Sequence, residues 1–240
     1  MEIGIIGFGR FGQLMVEYLS QDYPVYVSSR TATPSDIENA GGVESSLEKV
    51  CSRDVVIPSV PISTFESVIT QIRDYLDNNL LVDVCSVKEY PVEVMQRLIP
   101  GNVQILATHP MFGPDSASDS VEGKKIVLCP VRIDDPFFTR ITEYLEHRGL
   151  VVIETTPEKH DEQIAKTQVL THFIGRALSN FGAREFEIDT EGYKRLLRIL
   201  EVVENDPMQL FRDLNRFNRY AKPMREEFLT ALEEIDEELQ

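Results

Sequence analysis

The chain lacks the features that mark a secreted, metal-binding or membrane-inserted protein. It has only three cysteines, Cys51, Cys85 and Cys129, with no CxxC pair and no spacing typical of metal ligands. No apolar run reaches the length of a transmembrane helix, and Met1 leads straight into an apolar strand, with no room for a signal peptide. We therefore expect a reduced, cytoplasmic protein without a metal site.

Basic residues are also scarce. The chain has 24 Lys and Arg against 40 Asp and Glu, a formal net charge of −16, which disfavours nucleic acid and anionic membranes as partners. Residues 176–225 are the exception, with ten bases against eight acids. This local basic zone would suit a small anionic substrate, although i,i+4 pairing on exposed helices explains any single arginine equally well.

Short apolar runs alternate with helical periodicity up to about residue 155. This pattern predicts an α/β fold, with a Rossmann-like, mainly parallel sheet in residues 1–156. Residues 157–240 contain only amphipathic helical segments, and this stretch has too few residues to build a generous core alone. We expect this all-α C-terminal domain to pack on the first domain and to form a homodimer with a second copy. The predicted strands are Glu2–Gly7, Val25–Ser28, Asp54–Pro58, Leu80–Val84, Val103–Ala107, Lys125–Cys129 and Leu150–Glu154.

A glycine triplet, Gly7-x-Gly9-x-x-Gly12, follows the first predicted strand and opens a predicted helix. In this context Gly7 allows a tight turn, Gly9 the close approach of a pyrophosphate, and Gly12 close packing of helix on strand. The helix N-terminus adds free amides for the phosphates. The triplet therefore predicts dinucleotide binding, with Arg10 and Phe11 in the same turn, rather than an ordinary strand–turn–helix.

The end of the second predicted strand indicates which dinucleotide binds. An acid about 20 residues past the glycines would bind a ribose 2′-hydroxyl, whereas Arg with small hydroxyl residues accommodates a 2′-phosphate. The chain has Ser28, Ser29 and Arg30 there, and no acid before Asp36. This favours NADP over NAD. In the alternative, Arg30 is a surface turn residue and Ser28 only begins a loop.

Two further polar residues follow predicted strands at the edge where open α/β sheets bind ligands. His109 leaves a strand and precedes Pro110, a placement that suits a base aimed at the nicotinamide, although many loop histidines are structural. Ser86 follows the neighbouring strand, where its hydroxyl could orient the imidazole or the substrate. A plain cap for the next helix explains Ser86 equally well.

Four segments in order resemble the prephenate/arogenate dehydrogenase family of tyrosine biosynthesis. They are the strand with GFGRFG, DVCSVKEYP at 83–91, HPMFGPDS at 109–116 and KHDEQIAKTQVLTHF at 159–173. The later segments DTEGY at 189–193 and DPMQLF at 206–211 also resemble its helical domain, including that of the plant arogenate enzymes. The resemblance implies an enzyme that oxidatively decarboxylates arogenate to tyrosine, prephenate to 4-hydroxyphenylpyruvate, or both, with hydride transfer to NADP.

The resemblance also implies roles for individual residues. His109 matches the catalytic histidine that takes the proton of the ring 4-hydroxyl, and Ser86 matches its hydroxyl partner. His172 matches a histidine near the substrate side chain, and Arg198 stands nearest to the carboxylate-binding arginine, with Arg195 as its competitor. Asp161 matches a position linked to arogenate preference in plant-like members, although prephenate-using bacterial enzymes share the His-Asp pair.

Two other functions remain open at this point. A β-hydroxyacid dehydrogenase or imine reductase would share the glycine turn and a helical C-terminal domain, with Lys166 as its candidate catalytic lysine, but gives HPMFGP no role. A non-catalytic NADP-sensing protein would need neither Ser86 nor His109. The presence of both residues favours the dehydrogenase.

Overall fold

The computed structural model describes the backbone of residues 1–240 and every side chain except that of Val202. The chain divides into two compact units, Met1–Pro157 and Glu158–Gln240, which we call unit 1 and unit 2. The sequence pattern puts the boundary after residue 156. Unit 1 is an α/β unit with one sheet, and unit 2 is helical.

Over the described backbone, eight strands of unit 1 form one sheet in the order β3-β2-β1-β4-β5-β6-β7-β8. All neighbouring pairs are parallel except β6 with β7. The first six strands follow the order of doubly wound dinucleotide-binding sheets. The predicted Rossmann-like, mainly parallel fold is therefore confirmed. The strands are β1 (Ile3–Ile6), β2 (Val25–Ser28), β3 (Val43–Glu44), β4 (Val55–Pro58), β5 (Leu80–Asp83), β6 (Gln104–Pro110), β7 (Lys125–Arg132) and β8 (Val151–Glu154).

Three of the six helices of unit 1 begin at a residue whose side chain accepts a hydrogen bond from the first helical turn. Thr33 and Asp36 form a reciprocal capping box at the start of α2, and Pro34 stands in its first turn. The Asp134 side chain accepts a hydrogen bond from Phe137 N–H at the start of α6. The helices are α1 (Arg10–Leu19), α2 (Pro34–Asn39), α3 (Leu47–Cys51), α4 (Ile62–Ile72), α5 (Glu89–Leu98) and α6 (Asp135–His147).

The core of unit 1 is the sheet itself. All residues of β1 and β4 are buried, as expected for central strands covered on both faces. Leu14 and Val16 of α1 and Phe65 and Ile69 of α4 supply apolar cover, and each is at most 5% exposed. Because the central strands cannot shift in such a core, the segments that leave their carboxyl ends are held in fixed register.

Unit 2 consists of helices α7 (Pro157–Ile164), α8 (Leu170–Phe181), α9 (Glu191–Glu204), α10 (Met208–Phe217) and α11 (Ala221–Glu238). A π-helical turn, Ala165–Val169, joins α7 to α8, so the two run as one helical segment. Helix α8 ends at Gly182, which takes the left-handed conformation with φ +80°. Close packing of α8 on α9 depends on Gly175, since a Cβ there would lie 2.7 Å from Val203 Cγ2.

Candidate active site

The glycine turn between β1 and α1 has the geometry that the sequence predicts. Gly7 has φ +100°, and a Cβ on it would lie 2.3 Å from the Ser59 carbonyl oxygen. A Cβ on Gly12 would lie 2.6 Å from the Gly7 carbonyl oxygen, so α1 could not pack this closely on β1 with any other residue. Gly9 differs, because a Cβ there meets nothing within 4 Å. The turn thus leaves open space above Gly9, as close approach of a pyrophosphate requires.

The N-terminus of α1 points its first amides at that space. Gly9 is the N-cap residue and has no side chain to bond them, so they are available to an anion. Arg10 forms an ion pair with Asp115, and both side chains are about half exposed. The Phe11 ring lies 6.4 Å from the Phe112 ring. Arg10 and Phe11, both predicted to bind the cofactor, therefore also connect the turn to the segment after β6.

Ser28 is the last residue of β2, and Ser29 and Arg30 follow it, beside the glycine turn. Gly7 N–H donates to the Ser28 carbonyl at 2.9 Å, which connects the two segments directly. The Ser29 hydroxyl accepts hydrogen bonds from the N–H groups of Thr31 and Ala32. Arg30 is exposed and has no hydrogen bond or ion pair to any part of the chain that the structure describes.

Asp36, the first acid after β2, is occupied in its own helix cap. Its carboxylate accepts from both the N–H and the hydroxyl of Thr33, at 2.9 and 2.7 Å. These hydrogen bonds, the hydroxyl first, hold the pKa of Asp36 below its usual range. A carboxylate engaged in this way is poorly available to a ribose hydroxyl. The segment after β2 therefore presents the Arg30 guanidinium without a competing acid.

His109 lies inside a strand, and the expectation that it leaves the sheet after Ala107 is wrong. Strand β6 continues to Pro110 because β7 pairs with it antiparallel, His109 facing Val127. The imidazole is 3% exposed. Ser86 lies just beyond β5, half-buried, with no hydrogen bond from its side chain within the described part of the chain. Since β5 and β6 pair in parallel, Ser86 and His109 emerge at one edge of the sheet.

A buried ion pair beneath that edge was missed by the sequence analysis. The side chains of Lys88 and Asp83 are both 0% exposed. Lys88 Nζ donates to Asp83 Oδ2 and to the carbonyl oxygen of Thr108, the residue before His109. Burial raises the pKa of the Asp83 carboxyl above its usual range, and the Lys88 ammonium opposes that shift. The signal in the sequence was a lysine five residues after an acid at a strand end.

In unit 2, His172 lies on α8 and is 2% exposed. Its Nε2 is 3.5 Å from Asp206 Oδ2, while Nδ1 has no hydrogen-bond partner among the described residues. Burial lowers the pKa of His172, with Asp206 opposing the shift and Arg176 adding to it. Arg176 in turn donates to the carbonyl oxygens of Val203 and Asp206. Burial therefore favours the neutral form of the imidazole, which lies beside the Asp206 carboxylate, and Arg176 anchors the backbone of Asp206.

The other residues expected to bind substrate occupy different positions in unit 2. Arg198 and its competitor Arg195 are exposed on α9. Asp161 is fully buried in α7, and its Oδ1 lies 2.7 Å from Nδ1 of His160, itself 3% exposed. Asn218 Nδ2 donates to the Asp161 carbonyl at 2.8 Å. The Asp161 carboxylate thus contacts His160, which the sequence analysis did not assign to the site.

The described residues include no group of three or more His, Cys, Asp or Glu side chains placed to hold a metal ion. Among the helices over that same part of the chain, none combines the length and apolarity needed to span a membrane. All three cysteines are buried, and none forms a disulfide within the described chain. Burial raises the pKa of the Cys51 thiol to about 12, which makes it an unreactive side chain.

Comparison with known proteins gives two family matches. Residues 29–154 match the family described as prephenate dehydrogenase, nucleotide-binding domain. Residues 177–240 match the family described as TYRAAT1-like, C-terminal domain.

Two curated relatives and one solved structure illustrate the similarity. Arogenate dehydrogenase 2, chloroplastic, of Arabidopsis thaliana is 33% identical over 250 residues, covering 100% of this chain and 70% of the relative. Arogenate dehydrogenase 1, chloroplastic, of the same plant is 31% identical, but this chain spans only 39% of its length. The prephenate dehydrogenase from A. aeolicus, solved with hydroxyphenyl propionate and NAD+, has a TM-score of 0.77 at 24% identity, covering 99% of this chain and 90% of that one. At that identity, the structural likeness shows the fold.

Proposed function

The chain belongs to the prephenate dehydrogenase family, and from that premise we propose that it decarboxylates arogenate, prephenate or both oxidatively, as a tyrosine-pathway dehydrogenase. The observation that carries the proposal is one edge of the sheet. The glycine turn follows β1, Ser86 follows β5 and His109 is the last residue but one of β6. These strands are parallel through β4. The space above Gly9 fits a dinucleotide, and the proton acceptor lies on β6, three strands along the sheet from β1.

His109 acts as the base in this proposal. A bound nicotinamide would accept the hydride that leaves ring C4, while the ring carboxylate departs as CO2. The imidazole accepts the proton of the 4-hydroxyl, and the Ser86 hydroxyl orients that group or the imidazole. Burial of His109 to 3% exposure keeps bulk water from competing for the hydrogen bond. The same arrangement explains why HPMFGP follows the strand: Pro110 fixes the backbone directly after the base.

NADP is the proposed cofactor, and the support comes from the end of β2. Arg30 is a cation without a partner in the described chain, and Asp36 is engaged by Thr33. A guanidinium can bind a 2′-phosphate bidentately, whereas a free carboxylate would repel it. The A. aeolicus structure contains NAD+, so the proposal depends on the residues of this chain rather than on that likeness.

The substrate side chain is proposed to bind at unit 2. His172, whose neutral form burial favours, offers a ring nitrogen, Nδ1, that has no hydrogen-bond partner among the described residues. Arg198 supplies the positive charge for a substrate carboxylate, since an unpaired buried carboxylate is costly. Asp161 and the Asp206 carboxylate beside His172 bring negative charge, which favours the ammonium group of arogenate over the keto group of prephenate.

The test is turnover followed at the absorbance band of the reduced nicotinamide. The whole chain is mixed with arogenate or prephenate, each with NADP and with NAD. We expect NADP to be reduced, and to be reduced faster with arogenate than with prephenate. Absence of a signal in all four mixtures refutes the proposal and leaves a non-catalytic NADP-sensing role. A signal with prephenate alone retains the enzyme class and refutes the arogenate preference.

A homodimer and a cytoplasmic location complete the proposal. Helix α11 carries exposed Leu229, Leu232 and Ile235, which recur every three residues and are 46–57% exposed. An apolar stripe of this kind on an otherwise acidic helix suits burial against a second copy. Three buried cysteines without a disulfide suit a reducing compartment. Light scattering of the intact chain tests the dimer directly.

A further inference from the structure

Lys88 and Asp83 form a fully buried ion pair directly below the edge that carries Ser86 and His109. Asp83 is the last residue of β5, and Lys88 is the N-cap residue of α5. Neither side chain has any exposed surface. Removing two charges from water is expensive, and well-packed apolar side chains often stabilise a core as well or better. Stability alone is therefore a poor explanation for this pair.

The hydrogen bonds of the pair indicate another role, because they reach the backbone beside both predicted catalytic residues. Lys88 Nζ donates to the carbonyl oxygen of Thr108, the residue before His109. Asp83 Oδ1 accepts from Cys85 N–H at 2.7 Å, the residue before Ser86. The Thr108 hydroxyl donates to the Asp83 carbonyl oxygen at 2.7 Å. Apolar side chains could fill the same volume, but they could not hydrogen-bond the Thr108 carbonyl oxygen or the Cys85 N–H.

Ser86 depends on such support. It lies outside regular structure and its hydroxyl makes no hydrogen bond within the described chain, so its position follows from its backbone. His109 lies on β6, and the Thr108–His109 peptide is the point where the Lys88 ammonium contacts that strand. One ammonium–carboxylate pair thus links the ends of β5 and β6.

We propose that Lys88 is a positioning residue for the dehydrogenase reaction: shared between Asp83 and the Thr108 carbonyl, its ammonium fixes Ser86 and His109 relative to each other. The inference rests on the proposed function for its kinetic consequence. The geometric consequence, a fixed His109 ring, is independent of any substrate. A displacement of the order of 1 Å between catalytic groups costs about 100-fold in rate.

The experiment compares Lys88→Met, the double variant Lys88→Met/Asp83→Asn, and Lys49→Met, an exposed lysine on α3, as the control. The single variant leaves a buried carboxylate without its cation, so it unfolds at lower urea concentration or does not fold. The double variant removes both charges and regains most of that stability. We expect its kcat to stay about 100-fold low, with the Kd for NADP unchanged.

A second readout needs no turnover. The chain has only four histidines, so their ring signals can be followed by NMR and His109 assigned with the His109→Asn variant. In the double variant we expect the His109 signals to move while those of the other three and of the Lys49→Met control stay in place. Unmoved His109 signals, or a double variant with normal kcat, overturn the inference. Absence of turnover in the unmodified chain refutes the proposed function, and the NMR result still decides the role of Lys88.

Discussion

Substitution of two turn glycines, Gly9 and Gly12, by alanine should separate cofactor binding from folding. Gly9 has φ −75° and ψ −176°, which alanine adopts without strain, and its Cβ would meet nothing within 4 Å. Alanine makes the unfolded chain less flexible than glycine does, which stabilises the folded Gly9→Ala variant by about 0.4–1 kcal/mol. Alanine is also a poorer N-cap residue than glycine, which costs a similar amount. The free energy of unfolding should therefore change by no more than about 0.5 kcal/mol.

Cofactor affinity should respond differently at Gly9. The added methyl group occupies the open space in which the pyrophosphate is proposed to approach the α1 amides. Losing one hydrogen bond to a charged group costs about 1.5–3 kcal/mol. Since about 1.4 kcal/mol is a tenfold change, the Kd for NADP should rise by roughly 10- to 150-fold.

Gly12→Ala should damage both properties. Its Cβ would lie 2.6 Å from the Gly7 carbonyl oxygen, a backbone atom, so α1 must move away from β1. Overpacking of this kind costs about 1–3 kcal/mol of stability. Gly101→Ala is the matched control, because its Cβ also meets nothing within 4 Å and it lies outside the turn.

The two measurements are urea unfolding followed by far-ultraviolet circular dichroism, since the chain has no tryptophan, and calorimetric titration with NADP. Normal NADP affinity of Gly9→Ala would refute the placement of the pyrophosphate above this glycine. Equal loss of stability in Gly9→Ala and Gly12→Ala would refute the distinction between an open and a packed position.

Three more outcomes are expected. Arg30→Ala should raise the KM for NADP at least about tenfold and leave that for NAD unchanged; an unaltered NADP preference contradicts the 2′-phosphate assignment. Gly175→Ala should lower the free energy of unfolding by about 1–3 kcal/mol, because its Cβ would lie 2.7 Å from Val203 Cγ2; an unchanged urea midpoint contradicts this packing. Burial lowers the pKa of His172, so stability present above about pH 6.5 should be lost as pH falls through the lower folded pKa. His172→Gln should flatten that dependence in urea titrations, and an identical pH profile contradicts it.

Local sequence was sufficient for the glycine turn and the sheet it serves. Three isoleucines, Ile3, Ile5 and Ile6, followed by glycines at 7, 9 and 12 predict a strand, a turn and a helix. The burial of the isoleucines and the positive φ of Gly7 agree with this prediction. Strand β3 and helices α2 and α3 were missed because they have two, six and five residues, too few for a periodic pattern. The local signal for α2 is its capping residue, Thr33, rather than a periodic pattern.

The end of β6 shows where local reasoning stops. Pro110 suggests that the strand has ended, since proline cannot donate to a ladder. The strand nevertheless continues through His109 because β7, fifteen or more residues later, pairs with it antiparallel. The partner strand, not the local sequence, decides the position of the predicted base.

The Lys88–Asp83 pair could not be predicted for a related reason. Lysine is almost never fully buried unless it is paired, and a lysine after a strand is normally assigned to the surface. Only the packing of β5 against β6 brings its ammonium to the Thr108 carbonyl. Similarly, the contact of Asp161 with His160 depends on burial within unit 2, which the resemblance alone did not reveal.

The assignment of His109 as the base is the central claim, and the kinetics of His109→Asn test it most directly. Asparagine retains a polar group of similar reach but cannot take up the hydroxyl proton. With the substrate that the unmodified chain oxidises and the cofactor that it reduces, we expect kcat to fall by about 100-fold or more while KM changes little. A variant with near-normal kcat, or one in which only KM rises, would contradict the assignment.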